Sequence, residues 1–252
     1  MIVWMTALGV GSATVIGALI GFLFRRGSHR FSDIVLAFAA GVMLAAAVLG
    51  LILPSLEYGG SGGVFVTVIG IFVGALFLHA LDKLIPHLHL LTGVDQDGRA
   101  ADEQKNRILL FVLAIAIHNF PEGIAAGVGF GLGPENQAEA LLLAGGIALQ
   151  NIPEGMVIIS PMLAAGIPPK KTFLYAALTG VVEIVGTVIG YFAVSVATAV
   201  LPFALAFAGG TMLYIISDEM IPETHAHGNE RAATWAILVG FCLMLLFDAL
   251  LA

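Results

Sequence analysis

Eight apolar runs divide this chain, each about as long as the twenty residues a helix needs to cross a bilayer. Their approximate limits are 2 to 24, 34 to 53, 63 to 81, 108 to 131, 140 to 165, 173 to 194, 203 to 221 and 232 to 251. Apolar side chains make up 59% of the sequence and charged ones only 11%, an excess that points to lipid rather than water as the solvent. The expected fold is therefore all-α, a polytopic membrane protein with eight transmembrane helices in a single domain. A net charge of −7 argues against a nucleic-acid partner. The only cysteine, Cys242, lies in an apolar run, so no internal disulfide can form.

Charge placement orients the runs. The first, Ile2 to Phe24, has no basic residue ahead of it and Arg25, Arg26 and Arg30 just behind it, the reverse of a cleavable secretory signal. With both termini outside, the inward-facing loops hold Arg25, Arg26, Arg30, Lys83, Arg99, Lys105, Arg107, Lys170, Lys171 and Arg231. Together these are all 10 Lys and Arg residues, as the positive-inside rule requires. The outer side carries Glu57, Glu135 and Glu139, with Asp248 near the outer end of the last helix. These acids form a mildly negative mouth, or simply a set of solvated loop acids. The longest connection, 82–107, lies inside; its polar composition, with His87 and His89, reads as a linker.

Two of the runs contain a repeated polar break: His118-Asn119-Phe120-Pro121-Glu122-Gly123 and Gln150-Asn151-Ile152-Pro153-Glu154-Gly155. A charged side chain at the centre of a membrane helix costs about 2.5 to 3.5 kcal/mol on insertion scales, so such groups are rare and usually functional. Helical spacing puts His118, Asn119 and Glu122 on one face, and Gln150, Asn151 and Glu154 on another. Pro121 and Pro153 lack an amide hydrogen, which frees the carbonyls of Ile117 and Leu149 and predicts a kink in each helix. The short connection between the two runs makes them antiparallel, so their motifs meet in an inverted sense. That is the inverted-repeat signature of a transporter site near the bilayer midplane.

Met43, Asn119, Asn151 and Glu183 fall at the midpoints of the second, fourth, fifth and sixth runs, with His118, Glu122, Gln150 and Glu154 within a turn. Taken singly, Met43 reads as core packing and the histidine and amides as interhelical hydrogen-bonding groups. Taken together, they put an imidazole, a thioether, three carboxylates and three amides at one depth. Three glutamates in low dielectric repel one another, and a divalent cation removes that conflict. The mixed donor set suits Zn²⁺, Fe²⁺ or Mn²⁺ better than Mg²⁺ or Cu⁺. No thiolate is present in this set to build a tight structural zinc site.

At these residues the chain resembles the ZIP family of divalent-metal transporters, in helix count and orientation over its whole length and most specifically in the two Asn-x-Pro-Glu-Gly breaks. The resemblance implies a primary metal site of His118, Glu122 and Glu154 with Met43 and Gln150 beside them. It implies a second site of Asn119, Asn151 and Glu183, bridged by Glu122 and Glu154. Many relatives carry His in place of Gln150 and some carry Asp in place of Asn151, and both departures weaken the ligand set.

An exit toward the cytoplasm is expected at Asp218, Glu219, Glu223, His225 and His227, with His79 and Asp82 facing them. The resemblance further implies uptake through a cytoplasmic membrane by alternating access, zinc being the first substrate and Fe²⁺, Mn²⁺, Cd²⁺ and Co²⁺ the others. Helices one, four, five and six would move against two, three, seven and eight, in a homodimer. The divalent metal is substrate, and no catalytic cofactor is expected. The competing class is an intramembrane metal-dependent hydrolase, but the chain has no His-Glu-x-x-His, and a single midplane histidine is a poor basis for catalytic zinc.

Overall fold

The computed structural model describes residues 2–24, 28–84, 116, 118–130, 137–164, 166–196 and 198–251. Among these residues there is no β-strand. Eight helical stretches follow one another, and they are labelled here in chain order. They are α1 (Ile2–Leu23), α2 (His29 to Tyr58), α3 (Gly63–Leu84), α4 (118–130), α5 (Gln137–Ala164), α6 (Pro169–Val196), α7 (Leu201 to His225) and α8 (Glu230–Leu251). Seven of them are long and apolar enough to cross a membrane, α4 being described over 118–130 only. The chain is a multi-pass membrane protein.

Several helices outrun the apolar runs that announce them, α2 and α7 by crossing a proline. α2 starts before Ile34 because Ser28 caps it, its hydroxyl accepting from the Phe31 amide at 3.3 Å. It then continues past Pro54 by widening: Ala46–Ile52 is π-helical, and the Leu53 amide reaches back five residues to the Val48 carbonyl. α7 does the same before Pro222, with Ile216–Met220 π-helical and the Ile221 amide on the Ile216 carbonyl. A proline ring crowds the carbonyl four residues back, and a wider turn relieves that contact without ending the helix. Pro153 and Pro161, by contrast, lie within the continuous α5.

Glycines set the packing. A Cβ on Gly17 or Gly21 of α1 would strike the α5 backbone at Ile152 or Met156, and one on Gly155 of α5 would strike Thr14 of α1. Gly123 and Gly127 of α4 lie against Glu183 and Thr187 of α6, while Gly186 and Gly190 return the contact onto Phe120 and Ile124. Gly70 and Gly74 seat α3 on Phe203 and Phe207 of α7; Gly41 and Gly240 pair α2 with α8. Lipid offers no hydrophobic drive between helices, so close backbone approach with its dispersion contacts holds them together. With Gly11 of α1 on Gly180 of α6 and Gly209 of α7 on Ile52 of α2, these contacts sort the helices into two groups, α1 with α4, α5 and α6, and α2 with α3, α7 and α8. The groups meet where α2 crosses α5.

The interior between them is built largely from small side chains, among them Ala40, Ala46, Ala47, Ala125 and Ala126, with Met43, Met212 and Met244 filling the gaps. α4 is buried almost all round, its polar face of His118, Asn119 and Glu122 included. Outward-facing Phe65, Phe72 and Leu76 of α3 and Trp235 of α8 are exposed, which suits contact with lipid.

Candidate metal centre

Both Pro-Glu-Gly breaks lie within helices, so each presents its polar residues from consecutive turns, and each final glycine brings its helix against a neighbour. Gly123 sets α4 on the backbone of Glu183, and Gly155 sets α5 on the backbone of Thr14. Thr14 and Glu183 are also where the side chains meet. The Glu183 carboxylate is fully buried and accepts from Thr14 Oγ1 at 2.8 Å, from Asn151 Nδ2 at 2.8 Å and from Asn119 Nδ2. Four helices, α1, α4, α5 and α6, are tied through one side chain. The Glu183 carbonyl in turn accepts from Thr187 Oγ1 at 2.9 Å.

Beside this knot the polar atoms are bare. Both carboxylate oxygens of Glu122, Oδ1 of Asn119 and of Asn151, and the amide oxygen and nitrogen of Gln150 are buried with no hydrogen-bond partner among the described residues. Gln150 stands near the Glu122 carboxylate but outside hydrogen-bond geometry. Glu122 lies within electrostatic range of Glu154 and Glu183, and Glu154, half-buried, within range of His118. Met43 and Gln150 are fully buried, and His118 is only 8% exposed. Buried polar groups in a folded protein are nearly always paired, and leaving one unpaired costs about 1 to 3 kcal/mol, more if charged. Several such atoms on neighbouring helices fit a site whose partner is a ligand. The geometry is not a closed cage: among the described residues no three His, Cys, Asp or Glu side chains stand together as metal ligands.

Sequence relatives identify the architecture. The family described as ZIP zinc transporter matches residues 87–248. The chain belongs to the ZIP family. This ZIP protein is 39% identical over 250 residues to the zinc transporter GufA of Myxococcus xanthus, covering 97% of this chain and 96% of that one. It is 38% identical to the zinc transporter ZIPB of Bordetella bronchiseptica, over 95% of this chain and 78% of the relative. With the human zinc transporter ZIP11 the identity is 33%, over 93% of each chain. Membership in a transporter family leaves the hydrolase reading without support.

The flanking residues of the ZIP chain are arranged differently from the expected exit cluster. Glu219, in the π-helical turn of α7, lies 3.2 Å from Nε2 of His118, so this residue links to the first of the two polar breaks. His79 turns to the Tyr214 hydroxyl, Nδ1 to oxygen 2.9 Å, rather than to the α7 acids. His225 is held by the Ile221 carbonyl at 2.8 Å and by Thr234 Oγ1 at 3.3 Å. His227 bonds Asp33 Oδ1 at 3.0 Å and stacks on His29, while Asn229 donates to Asp33 Oδ2 at 2.8 Å. Asp218 and Glu223 are exposed and Asp248 is half-buried. Glu135, His87, His89 and the side chain of Asp82 lie outside the described residues.

Thr14 and Asp33 went unread in the sequence. Thr14 shares a helix face with Gly17, Ala18 and Gly21, so the glycine stripe was the available signal. Asp33 carried none, because its partners lie almost two hundred residues away.

Proposed function

We propose that this ZIP protein carries zinc or a related divalent transition metal across the cytoplasmic membrane into the cell, through a midplane site of Met43, His118, Glu122, Gln150 and Glu154 flanked by Asn119, Asn151 and Glu183. The observation that carries the reading is the buried Glu122 carboxylate, bare of hydrogen bonds, with the unpartnered Gln150 amide near it. A cation is a partner that would satisfy the bare oxygens of this set. Oxygen with imidazole and thioether donors suits Zn²⁺, with Cd²⁺, Co²⁺, Fe²⁺ and Mn²⁺ as alternatives. The relatives named above are zinc transporters.

The segregation of Lys and Arg supports both termini outside. Asp248 with Glu57 and Glu139 would attract the ion at the outer side. Glu219, reaching His118, would draw it inward, toward Asp218, Glu223 and His225. The two glycine-packed groups supply the parts for alternating access, α1, α4, α5 and α6 rocking against α2, α3, α7 and α8, the latter group offering the surface for a homodimer.

Flux into proteoliposomes loaded with a metal-sensitive dye, measured for Zn²⁺, Cd²⁺, Co²⁺, Fe²⁺ and Mn²⁺, tests the reading. Glu122→Ala and Glu154→Ala should abolish flux while the protein still inserts. Wild-type flux in either variant would overturn the assignment.

A further inference from the structure

We infer that Leu143 of α5 and Met244 of α8 form an outer gate: each plugs a glycine on the opposite helix group, and both must withdraw before an ion can enter from outside. The inference rests on the transport reading above.

Glycine contacts within a group differ in kind from those between groups. Inside a group, a Cβ added at Gly17, Gly74, Gly123 or Gly240 would strike a backbone carbonyl of the neighbouring helix, so those helices cannot part without repacking. Among the described glycines two meet the other group instead, and both meet side chains only. A Cβ at Gly50, in the widened stretch of α2, would stand 2.7 Å from Cδ1 of Leu143 on α5. One at Gly146 of α5 would stand 2.7 Å from both Sδ and Cε of Met244 on α8, with Cβ of Ala46 on α2 next at 3.9 Å. A side chain that fills a hole can leave it by rotation, and methionine, unbranched and flexible, does so readily. Ordinary core packing does not predict this sorting of backbone contacts within groups and side-chain plugs between them.

The position of the plugs decides what they close. On α5, Leu143, Gly146, Gln150 and Glu154 recur at helical spacing, so the plugged turns share the face of the midplane residues and lie outward of them. On α8, Asp248 lies one turn outward of Met244 on the same face. Leu143 and Met244 are themselves buried, at 4% and 1% exposure. An ion arriving at Asp248 therefore meets alkyl and thioether groups before it meets Gln150. A hydrated cation does not cross such a constriction, which is how hydrophobic gates hold channels shut. At the inner end the groups meet instead through Glu219 and His118, a polar contact.

The experiment locks the gate. A Cβ added at Gly50 would stand 3.6 Å from Cβ of Leu143, within the range a disulfide spans. In a Cys242→Ala background, Gly50→Cys with Leu143→Cys should cross-link on oxidation and lose Zn²⁺ flux in proteoliposomes by at least about tenfold, and reductant should restore it. The control is Gly209→Cys with Leu51→Cys, where the corresponding distance is 3.5 Å but α7 and α2 belong to one group. Cross-linking that pair should leave flux unchanged. Flux that survives cross-linking of the first pair, failure of that pair to cross-link, or an equal loss in the control would each overturn the inference. A second measurement needs no transport and reads the gate directly. Ile147→Cys, one turn inward of Leu143, should react slowly with a membrane-impermeant maleimide added outside, and about tenfold faster once Leu143→Ala and Met244→Ala are added. An unchanged rate overturns the gate. A raised rate in a protein that moves no metal supports the gate and refutes the transport reading alone.

Discussion

His118 Nε2 stands 3.2 Å from the Glu219 carboxylate, joining a residue of the fourth helix to the widened turn of the seventh. The contact crosses from one glycine-packed group of helices to the other. A cation held by His118 would therefore have the Glu219 carboxylate within reach. Opening Glu219 away from His118 would separate the groups at that level. Glu219→Ala should lower maximal Zn²⁺ flux several-fold with a smaller change in KM, because it removes an interaction needed for passage rather than for capture. Initial rates in proteoliposomes over a range of Zn²⁺ concentrations would show it, and an unchanged maximal rate would rule out a role for Glu219 on the path.

The two motif glycines should tolerate nothing larger. Gly123→Ala and Gly155→Ala place a methyl against backbone atoms of Glu183 and Thr14, which cannot rotate aside, so the helices must separate. Overpacking of this kind costs about 1 to 3 kcal/mol and should lower the thermal unfolding midpoint in detergent. Gly9→Ala and Gly145→Ala, with nothing within 4 Å of the added carbon, serve as controls and should unfold like the wild type.

Gln150 would be the weakest ligand of the proposed primary set. Its amide is fully buried and unpartnered, and neutral imidazole is a better donor to zinc. Gln150→His should tighten Zn²⁺ binding by about tenfold and raise the preference for Zn²⁺ over Mn²⁺. Competition binding before and after the change measures both, and an unaltered Zn²⁺ to Mn²⁺ ratio would remove Gln150 from the ligand set.

Asp33 anchors the connection between the seventh and eighth helices. It is 3% exposed and bonded by His227 and Asn229, so Asp33→Ala removes two hydrogen bonds to a carboxylate. The expected loss is about 1 to 3 kcal/mol, read as a lower unfolding midpoint. Flux per folded molecule should stay near wild type. A selective loss of flux with normal stability would place Asp33 in transport instead.

Much of this protein is readable along the chain because lipid imposes simple conditions. A span must be about twenty apolar residues, so the helices are visible one by one. An ionisable group inside a span is too costly to persist without purpose, so Glu122, Glu154 and Glu183 stand out, together with the amides beside them. The repeat of the Pro-Glu-Gly break marks α4 and α5 as the place where those groups meet.

Other features depend on partners far apart in sequence, and no local pattern encodes them. Helix ends moved where Ser28 supplied a cap and where π-helical turns carried α2 and α7 past their prolines. Thr14 reaches Glu183 across 169 positions, and His227 reaches Asp33 across 194. His79 could be paired on paper with the acids of α7, but helix rotation turned it to Tyr214. Spacing and cost reveal which residues must be special, because each span meets the bilayer alone. Which atom of a special residue faces its neighbour, and which is left bare for a cation, depends on how backbones settle against glycines on other helices, and that exists only once the bundle is packed.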